Sequence, residues 1–590
     1  MKYSDKIAQW LVDLGYTDCF FVGGGNIMHL IESLSRVLRC HAVIHEVAAG
    51  IAAEYFNESS NYGKALALVT AGPGLTNIVT ALAGAYLESR ELLVLGGQVK
   101  TADLSRGALR QRGIQEIDGV AVAKPLSVVS ELLDQPVGPE RFAELVARGA
   151  SARKGPVFLE IPLDVQARDV DFADLPPRQA GVIDAGVVAR VPAPDIAYLV
   201  ERLRRADRPV LLLGGGVSRA AAQRAASHFG RMGIPIATTW NGADRIAADH
   251  PLYVGRPNTW GQRSANLVVQ QADLLVALGT RLGMQQTGFN WQSFVPVGQV
   301  VQVDIDPAEL YKGHPHVELA LHGDADDVLA ALTAADLGDH REWVDYARSV
   351  RQQVPLIEAV NNTGQGYFSP YAFVDRLGAM ARGGDVIIPC SSGGAFTVMM
   401  QVFAQKPGQV IVTNKGLAAM GYGLSGAIGA AFAHPGQRVI LVEGDGGFAQ
   451  NLQEIGTVAI NRLNLKMFVF DDSGYASIRM TQRSYFGGRY VGCDRNTGLG
   501  LPDWDKLFPV WGVPVMRLRP GDEDMPRFRE LFDAEGPAAF VVCIDPEQTY
   551  FPKISSRVTA SGAMESNPLH RMSPELDAEL LHRVGRYLPR

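Results

Sequence analysis

Cysteine is scarce in this chain of 590 residues: Cys19, Cys40, Cys390, Cys493 and Cys543 are widely spaced and form no CxxC pair. An odd, scattered set excludes a disulfide framework and a structural zinc site, and it fits reduced, buried thiols. An excess of basic charge is also missing. The formal net charge is -7, so the sequence offers no footing for nucleic acid or an anionic membrane as a partner. Long apolar runs are absent as well. The longest mainly apolar stretch, GYGLSGAIGAAFA at 421–433, is rich in glycine and too short to span a bilayer. The N-terminus, MKYSDKIAQWLVDLGY, sets charged and apolar residues at helical spacing and lacks a signal-peptide core. The expectation is an amphipathic first helix and a cytoplasmic protein.

What is present is a rhythm of short apolar strands and helical stretches. The chain is too long for one core. Residues 1–170 carry DCFFVGGG, ALALVTAGPG, ELLVLGGQ and PVFLEIP; residues 190–335 carry PVLLLGGG, IPIATTW, DLLVALGTR and VVQVDIDP. A third block, 368–545, carries DVIIPCSS, QVIVTN, RVILVEGDG, KMFVFDD and AFVVCID. Alternation of this kind predicts α/β architecture, with three doubly wound parallel-sheet domains. Residues 165–190, with DLPPRQAG inside, read as a linker, and 546–590 as a C-terminal tail over the surface.

The stretch 444–474 organises the rest. RVILVEGDGG reads as a buried strand breaking into glycines, and NLKMFVFDDSG as a second strand ending in two aspartates about 27 residues later. At the carboxyl edge of a parallel sheet, a helix opening after GDGG would aim free N–H groups at phosphate oxygens. Mg²⁺ takes six oxygens, so the carboxylates of Asp445 and Asp472, the carbonyl of Gly474, a water and two diphosphate oxygens would complete its shell.

GDG followed at this interval by a polar pair resembles the thiamine diphosphate enzymes, whose second motif is NN; this chain carries Asp471 and Asp472 instead. The three-block order resembles their pyrimidine-binding, middle and diphosphate-binding domains. GPVFLEIPLDVQ, VVQVDIDPAEL, LHGDADDVL and GLAAMGYGLSGAIGAAFAHP are similar to acetolactate synthase and its relatives, so the resemblance covers nearly the whole chain.

It implies thiamine diphosphate and Mg²⁺ as cofactors and assigns roles by motif. HEVAAGIAAEYF places the proton-relay glutamate at Glu46. In AAMGYG, Met420 bends the cofactor and the carbonyl of Ala418 accepts from its amino group. Gly393, Gly394 and Ala395 in SSGGA, with Gly444, Asp445, Gly446, Gly447, Asp472, Gly474 and Tyr475, would hold the diphosphate. IQEID assigns Gln115 to the bound intermediate, and His29 falls near the pocket as a proton carrier. FAD is implied at the middle domain by LGTRLG and VDIDPAEL, with Arg281, Asp304 and Asp306 close by; GGGVSRA is not itself a dinucleotide fingerprint. Because the family pairs first and third domains across subunits, a homodimer or homotetramer is implied.

Aldehyde-releasing decarboxylases of the superfamily carry adjacent histidines, and this chain has no HH pair, which favours ligation. RQRGIQEID, NKGLAAMGYG and SSRVTASGAMESNPLHRMSPEL resemble carboligases of deoxysugar and O-antigen pathways, the yersiniose type. That resemblance implies pyruvate as donor and a nucleotide-linked 4-ketosugar as acceptor. Arg106, Arg110, Arg112, Arg479 and Arg483 are candidates for the nucleotide phosphates. Acetolactate synthase, a flavin-dependent pyruvate oxidase and a non-catalytic nucleotide-binding protein are the competing readings.

Overall fold

The computed structural model describes residues 1–171, 189–558, 562 and 564–589, apart from 362 and 365. It forms three domains, each around a six-stranded parallel sheet. The first holds β1 (Tyr16–Phe21), β2 (Arg39–Ala42), β3 (Lys64–Val69), β4 (Leu92–Gln98), β5 (Val129–Leu132) and β6 (Pro156–Pro162), in the order β2-β1-β3-β4-β6-β5. The middle holds β7 (Pro209–Leu213), β8 (Ile236–Thr238), β9 (Tyr253–Gly255), β10 (Leu274–Leu278), β11 (Gln299–Asp304) and β12 (Leu319–His322), in the order β12-β11-β10-β7-β8-β9. The third holds β13 (Val386–Ile388), β14 (Val410–Ile411), β15 (Val439–Gly444), β16 (Leu465–Asp471), β17 (Val515–Leu518) and β18 (Ala538–Cys543), in the order β14-β13-β15-β16-β18-β17.

Central strands such as β3, β10 and β15 are buried on both faces, which is why they read as unbroken runs of Val, Leu and Ala. Numbered within each domain, the first and third sheets share one strand order. The middle order is that of dinucleotide-binding doubly wound sheets. Strand order reverses between β1 and β3, between β7 and β10, and between β13 and β15, and at such a switch point the carboxyl edge of a sheet opens a crevice.

The first and third domains meet through the helices Glu46–Ser59 and Tyr422–Ala433. Small residues allow close approach: a Cβ on Gly429 would lie 2.0 Å from the backbone oxygen of Ala52. Beside this contact the fully buried Glu54 carboxylate accepts from Arg90 (2.8 Å), the Tyr422 hydroxyl (2.6 Å) and the Asn414 amide (3.0 Å). Arg90 also donates to the carbonyl of Thr413 at 2.6 Å. The middle domain joins through Arg219, which donates to Glu58 at 2.9 Å and to the carbonyl of Ile411 at 2.8 Å.

The tail differs from a surface wrap. Ile554, Leu569 and Val584 are buried in a cluster with Leu282, Phe294 and Trp343 of the middle region. Asn266 and Gln271 donate to the carbonyls of Leu569 (3.1 Å) and Val584 (2.9 Å). Most of the linker expected over 165–190, DLPPRQAG included, lies outside the described residues. Its start continues the first domain as the helix Leu163–Ala167.

Candidate active site

At the switch edge of the third sheet, β15 ends in Gly444 and Asp445 starts the next short helix. Asp445 is 1% exposed, and its carboxylate accepts from the N–H groups of Gly446 (2.7 Å) and Gly474 (3.0 Å). A Cβ on Gly446 would lie 3.4 Å from the Gly474 carbonyl oxygen, so that acceptor flanks the GDG turn. Asp472, at the end of the neighbouring strand, is also buried. Burial pushes the Asp445 carboxyl well above the usual carboxylate range, and the charges of Asp472 and Asp471 push it further. Burial raises Asp472 as well, against its Arg479 partner. Asp445 has no cationic side-chain partner among the described residues. A buried, unpaired carboxylate is costly unless a cation meets it, so the donor set fits a divalent ion held by Asp445, Asp472 and Gly474.

The exchange of the family's NN for Asp471 and Asp472 comes with its own counter-charges. Arg517 on β17 pairs with Asp471 at 2.8 Å, and buried Arg479 pairs with Asp472 at 2.9 Å. Arg479 also donates to the carbonyls of Asp472 (2.6 Å) and Pro546 (3.1 Å). It is thus an internal strut and is not free for a nucleotide phosphate, contrary to expectation. Arg483 pairs with Glu547 and Arg106 with Asp134, while Arg110 and Arg112 are exposed on the same loop as Gln115.

Opposite the GDG turn, the helix Gly393–Val402 begins at Ser392, whose side chain makes no capping hydrogen bond. Its first N–H groups are therefore open to an anion. Ala395 is buried in the first turn. Tyr475 lies over the turn, its ring 2.3 Å from where a Cβ of Gly446 would be. Nearby, Ala418 has φ 57 and Ser473, between Asp472 and Gly474, has φ 63. Such backbone is costly for a side-chain-bearing residue. Met420 is 41% exposed with its sulfur 3.5 Å from the Gln450 amide, which speaks against a packing role.

In the first domain, Glu46 opens its helix, with His45 as N-cap accepting the Val47 N–H. The Glu46 carboxylate is 8% exposed and accepts from the Asn77 amide at 2.9 Å. The preceding turn is pinned to the third domain, because Glu454 accepts from the N–H groups of Ile44 (3.1 Å) and His45 (3.0 Å). Gln115 is exposed with φ 65, and its carbonyl would lie 2.4 Å from a Cβ on Gly72, beside the start of the Asn77 helix. Glu116 fixes this loop by accepting from the N–H groups of Arg112 (2.8 Å) and Gly113 (3.0 Å). His29 lines a pocket with Lys100, Leu163, Asp164, Ala167 and Arg168, and Glu46 is not part of that lining.

The middle-domain glycines serve packing. A Cβ on Gly214 would lie 2.1 Å from the Gly279 carbonyl oxygen, so GGG lets two strand ends touch. At this edge Thr238, Trp240, Asn241 and Gln302 each present a buried polar atom with no partner among the described residues, and a bound dinucleotide would meet such atoms. Arg281 is exposed, and its carbonyl accepts from Lys312. Asp304 is buried and accepts from the Asp306 N–H at 3.0 Å. Asp306 is already engaged, pairing with Arg153 at 2.6 Å and capping the helix that begins at Pro307.

Sequence reasoning missed Asn77, Glu454, Arg517 and Glu116, and it gave Arg479 a different role. Asn77 lies four residues into the helix Pro73–Leu87, beside that of Glu46. The two arginines gave no local signal, since their partners are fixed only by folding.

The motifs have counterparts among known proteins. Family models described as the thiamine pyrophosphate enzyme N-terminal TPP binding domain, central domain and C-terminal TPP binding domain match residues 1–122, 196–332 and 392–542. Acetolactate synthase 1, chloroplastic, of Zea mays is 30% identical over 574 residues, 94% of this chain and 87% of the relative. The acetolactate synthase large subunit of Corynebacterium glutamicum is 30% identical, covering 94% and 89%. The acetolactate synthase isozyme 2 large subunit of Escherichia coli K12 is 29% identical, covering 96% and 100%. With three matched domains in the same order and similarity along nearly its whole length, the chain belongs to the thiamine pyrophosphate enzymes and is a member of their acetolactate synthase-like family.

Proposed function

We propose that the protein decarboxylates pyruvate and joins the resulting two-carbon unit to the carbonyl of a second substrate, giving a hydroxyketone and carbon dioxide. Bound thiamine diphosphate supplies the electron sink that makes loss of carbon dioxide possible. The chain does the rest. Glu46, buried and oriented by Asn77, would hold and move a proton at the cofactor's pyrimidine ring. Met420 and the Ala418 carbonyl would hold the cofactor's rings. Asp445, Asp472 and the Gly474 carbonyl hold Mg²⁺, and the uncapped helix start at Gly393 receives the diphosphate. Gln115 faces the substrate. His45, beside Glu46, is committed as a helix cap, which supports ligation over protonation and release.

The carrying observation is Glu46: a nearly buried acid at a helix start, fixed by an amide, has no use in a protein that only binds a nucleotide. The Glu46 bond stays inside the first domain, while the diphosphate residues lie in the third. A homodimer, or a pair of dimers, with each site shared between subunits follows from the family's pairing. FAD is proposed as a second, non-redox cofactor at the middle-domain edge.

For the acceptor, the motif resemblance favours a nucleotide-linked 4-ketosugar, with Arg110 and Arg112 as the arginines left free for its phosphates. The relatives' names favour a second reading, acetolactate synthesis from pyruvate or 2-oxobutyrate. Product analysis by NMR separates them. The protein is supplied with thiamine diphosphate, Mg²⁺, FAD and labelled pyruvate, first alone and then with a nucleotide 4-ketosugar. Label as a two-carbon branch on the sugar supports the first reading, and rapid acetolactate with an inert sugar replaces it with the second. Bleaching of the flavin on adding pyruvate would replace both with an oxidase.

A further inference from the structure

After β18 the chain crosses back over the third domain through residues 546–552, held there by Arg479 on the Pro546 carbonyl. This crossing carries Tyr550, which is 2% exposed. Its phenol fills the space in front of the second residue of the Gly393–Val402 helix. A Cβ on Gly394 would lie 2.0 Å from the ring carbon bearing the hydroxyl and 2.3 Å from the oxygen itself. The ring lies close enough to Asp472 and Asp445 to feel both charges. Among the described residues the hydroxyl has no hydrogen-bond partner.

A hydroxyl on a buried ring with no protein partner is completed by a water, an ion or a ligand. Here it lies beside the second residue of a ten-residue helix whose N-cap side chain does not cap it. Donors converging on one spot select an anion with several acceptor oxygens. A neutral phenol is a poor ligand for magnesium beside two carboxylates, and the metal donors stand on the other strand ends.

We propose that Tyr550 is a binding residue for the terminal phosphates of thiamine diphosphate, donating its hydroxyl proton to a phosphate oxygen beside the N–H groups of Gly393, Gly394 and Ala395. Gly394 is glycine because the phenol needs its side-chain space. This rests on the thiamine diphosphate assignment and adds a contact from a segment outside the GDG motif. It makes the crossing 546–552 part of the cofactor site.

The test is cofactor binding to full-length Tyr550→Phe, which keeps the ring and removes the donor. Calorimetric titrations with thiamine diphosphate and with unphosphorylated thiamine, at fixed Mg²⁺, are compared with the parent, and inorganic pyrophosphate is used as competitor. The expected result is a Kd for thiamine diphosphate raised about tenfold or more, the range for a hydrogen bond to a charged group. Pyrophosphate should weaken in parallel, thiamine binding should be unchanged, and the melting temperature without cofactor should match the parent's. A Kd within twofold of the parent overturns the inference while the cofactor assignment stands. An equal loss for thiamine overturns it too, since the ring alone would then be at work. If the parent binds no thiamine diphosphate, the assignment and the inference fall together.

Discussion

Replacing Arg90 by Met removes the only cation paired, among the described residues, with the Glu54 carboxylate at the junction of the first and third domains. Both side chains are buried, at 8% and 0% exposure, and they lie 2.8 Å apart. Breaking one side of such a pair costs about 3–5 kcal/mol, because the remaining charge is stranded. The variant also strands the Thr413 carbonyl, which accepts from the same guanidinium. For a unit of domain size, each kcal/mol lowers the melting temperature by about 2–4 °C, so the first calorimetric transition should fall by about 6–20 °C. The sign with pH is fixed by the carboxyl. Burial already raises Glu54, and Arg90 is the largest opposing influence. Without Arg90, the Glu54 carboxyl is pushed further up in the folded state. A carboxyl raised in this way contributes stability fully below its unfolded value, about 4.3, and loses it as pH rises. The gap between variant and parent should therefore be wider at pH 8 than at pH 5. Adding Glu54→Gln, which still accepts from Tyr422 and Asn414, should recover at least half of the loss and flatten the pH dependence. A shift under 2 °C that ignores pH would refute the reasoning.

Three further outcomes are expected. Gly429→Ala forces a methyl to 2.0 Å from the Ala52 backbone oxygen and should destabilise by about 1–3 kcal/mol, whereas Gly230→Ala, with open space around it, should be neutral by the same thermal melts. Glu160→Gln should raise stability at pH 8 but not at pH 4: burial holds the Glu160 carboxyl at about 8, so the parent loses stability as pH rises from the unfolded value toward 8. Glu46→Gln should lower turnover about 10²–10⁴-fold and leave cofactor affinity within a few-fold in a calorimetric titration. Asn77→Ala should share the loss to a lesser degree, and equal turnover in both variants and parent would remove the proton-relay role.

The sequence makes the sheet centres legible and the sheet edges not. Of the six edge strands, β2, β5, β9, β12 and β17 gave no recognisable run and only β14 did, because an edge strand is short and pairs on one side. The shared order of the first and third sheets was invisible for a related reason: strand order depends on where helices pack, and no sequence period records it. At the site, motifs with fixed spacing were readable, as with Asp445, Asp472 and Gly474. Their counter-charges were not. Arg517 sits 46 residues from Asp471 and Arg479 seven from Asp472, and both look like solvated surface arginines in one dimension. Arg479, expected to face a nucleotide, faces inward instead because the helix Ala476–Phe486 turns that side chain under the strand end.

The tail's place in the middle-domain core has a consequence for synthesis. Leu282, Phe294 and Trp343 leave the ribosome roughly 230–300 residues ahead of Leu569 and Val584, which is about 11–60 s at ordinary elongation rates. Until then their apolar faces stand uncovered, and a nascent chain in that interval is a client for chaperones. Residues 554–584 thus act as a completion signal: only a chain translated past them can close its own middle domain, and a premature stop near Glu547 should leave a product that is cleared, not stored.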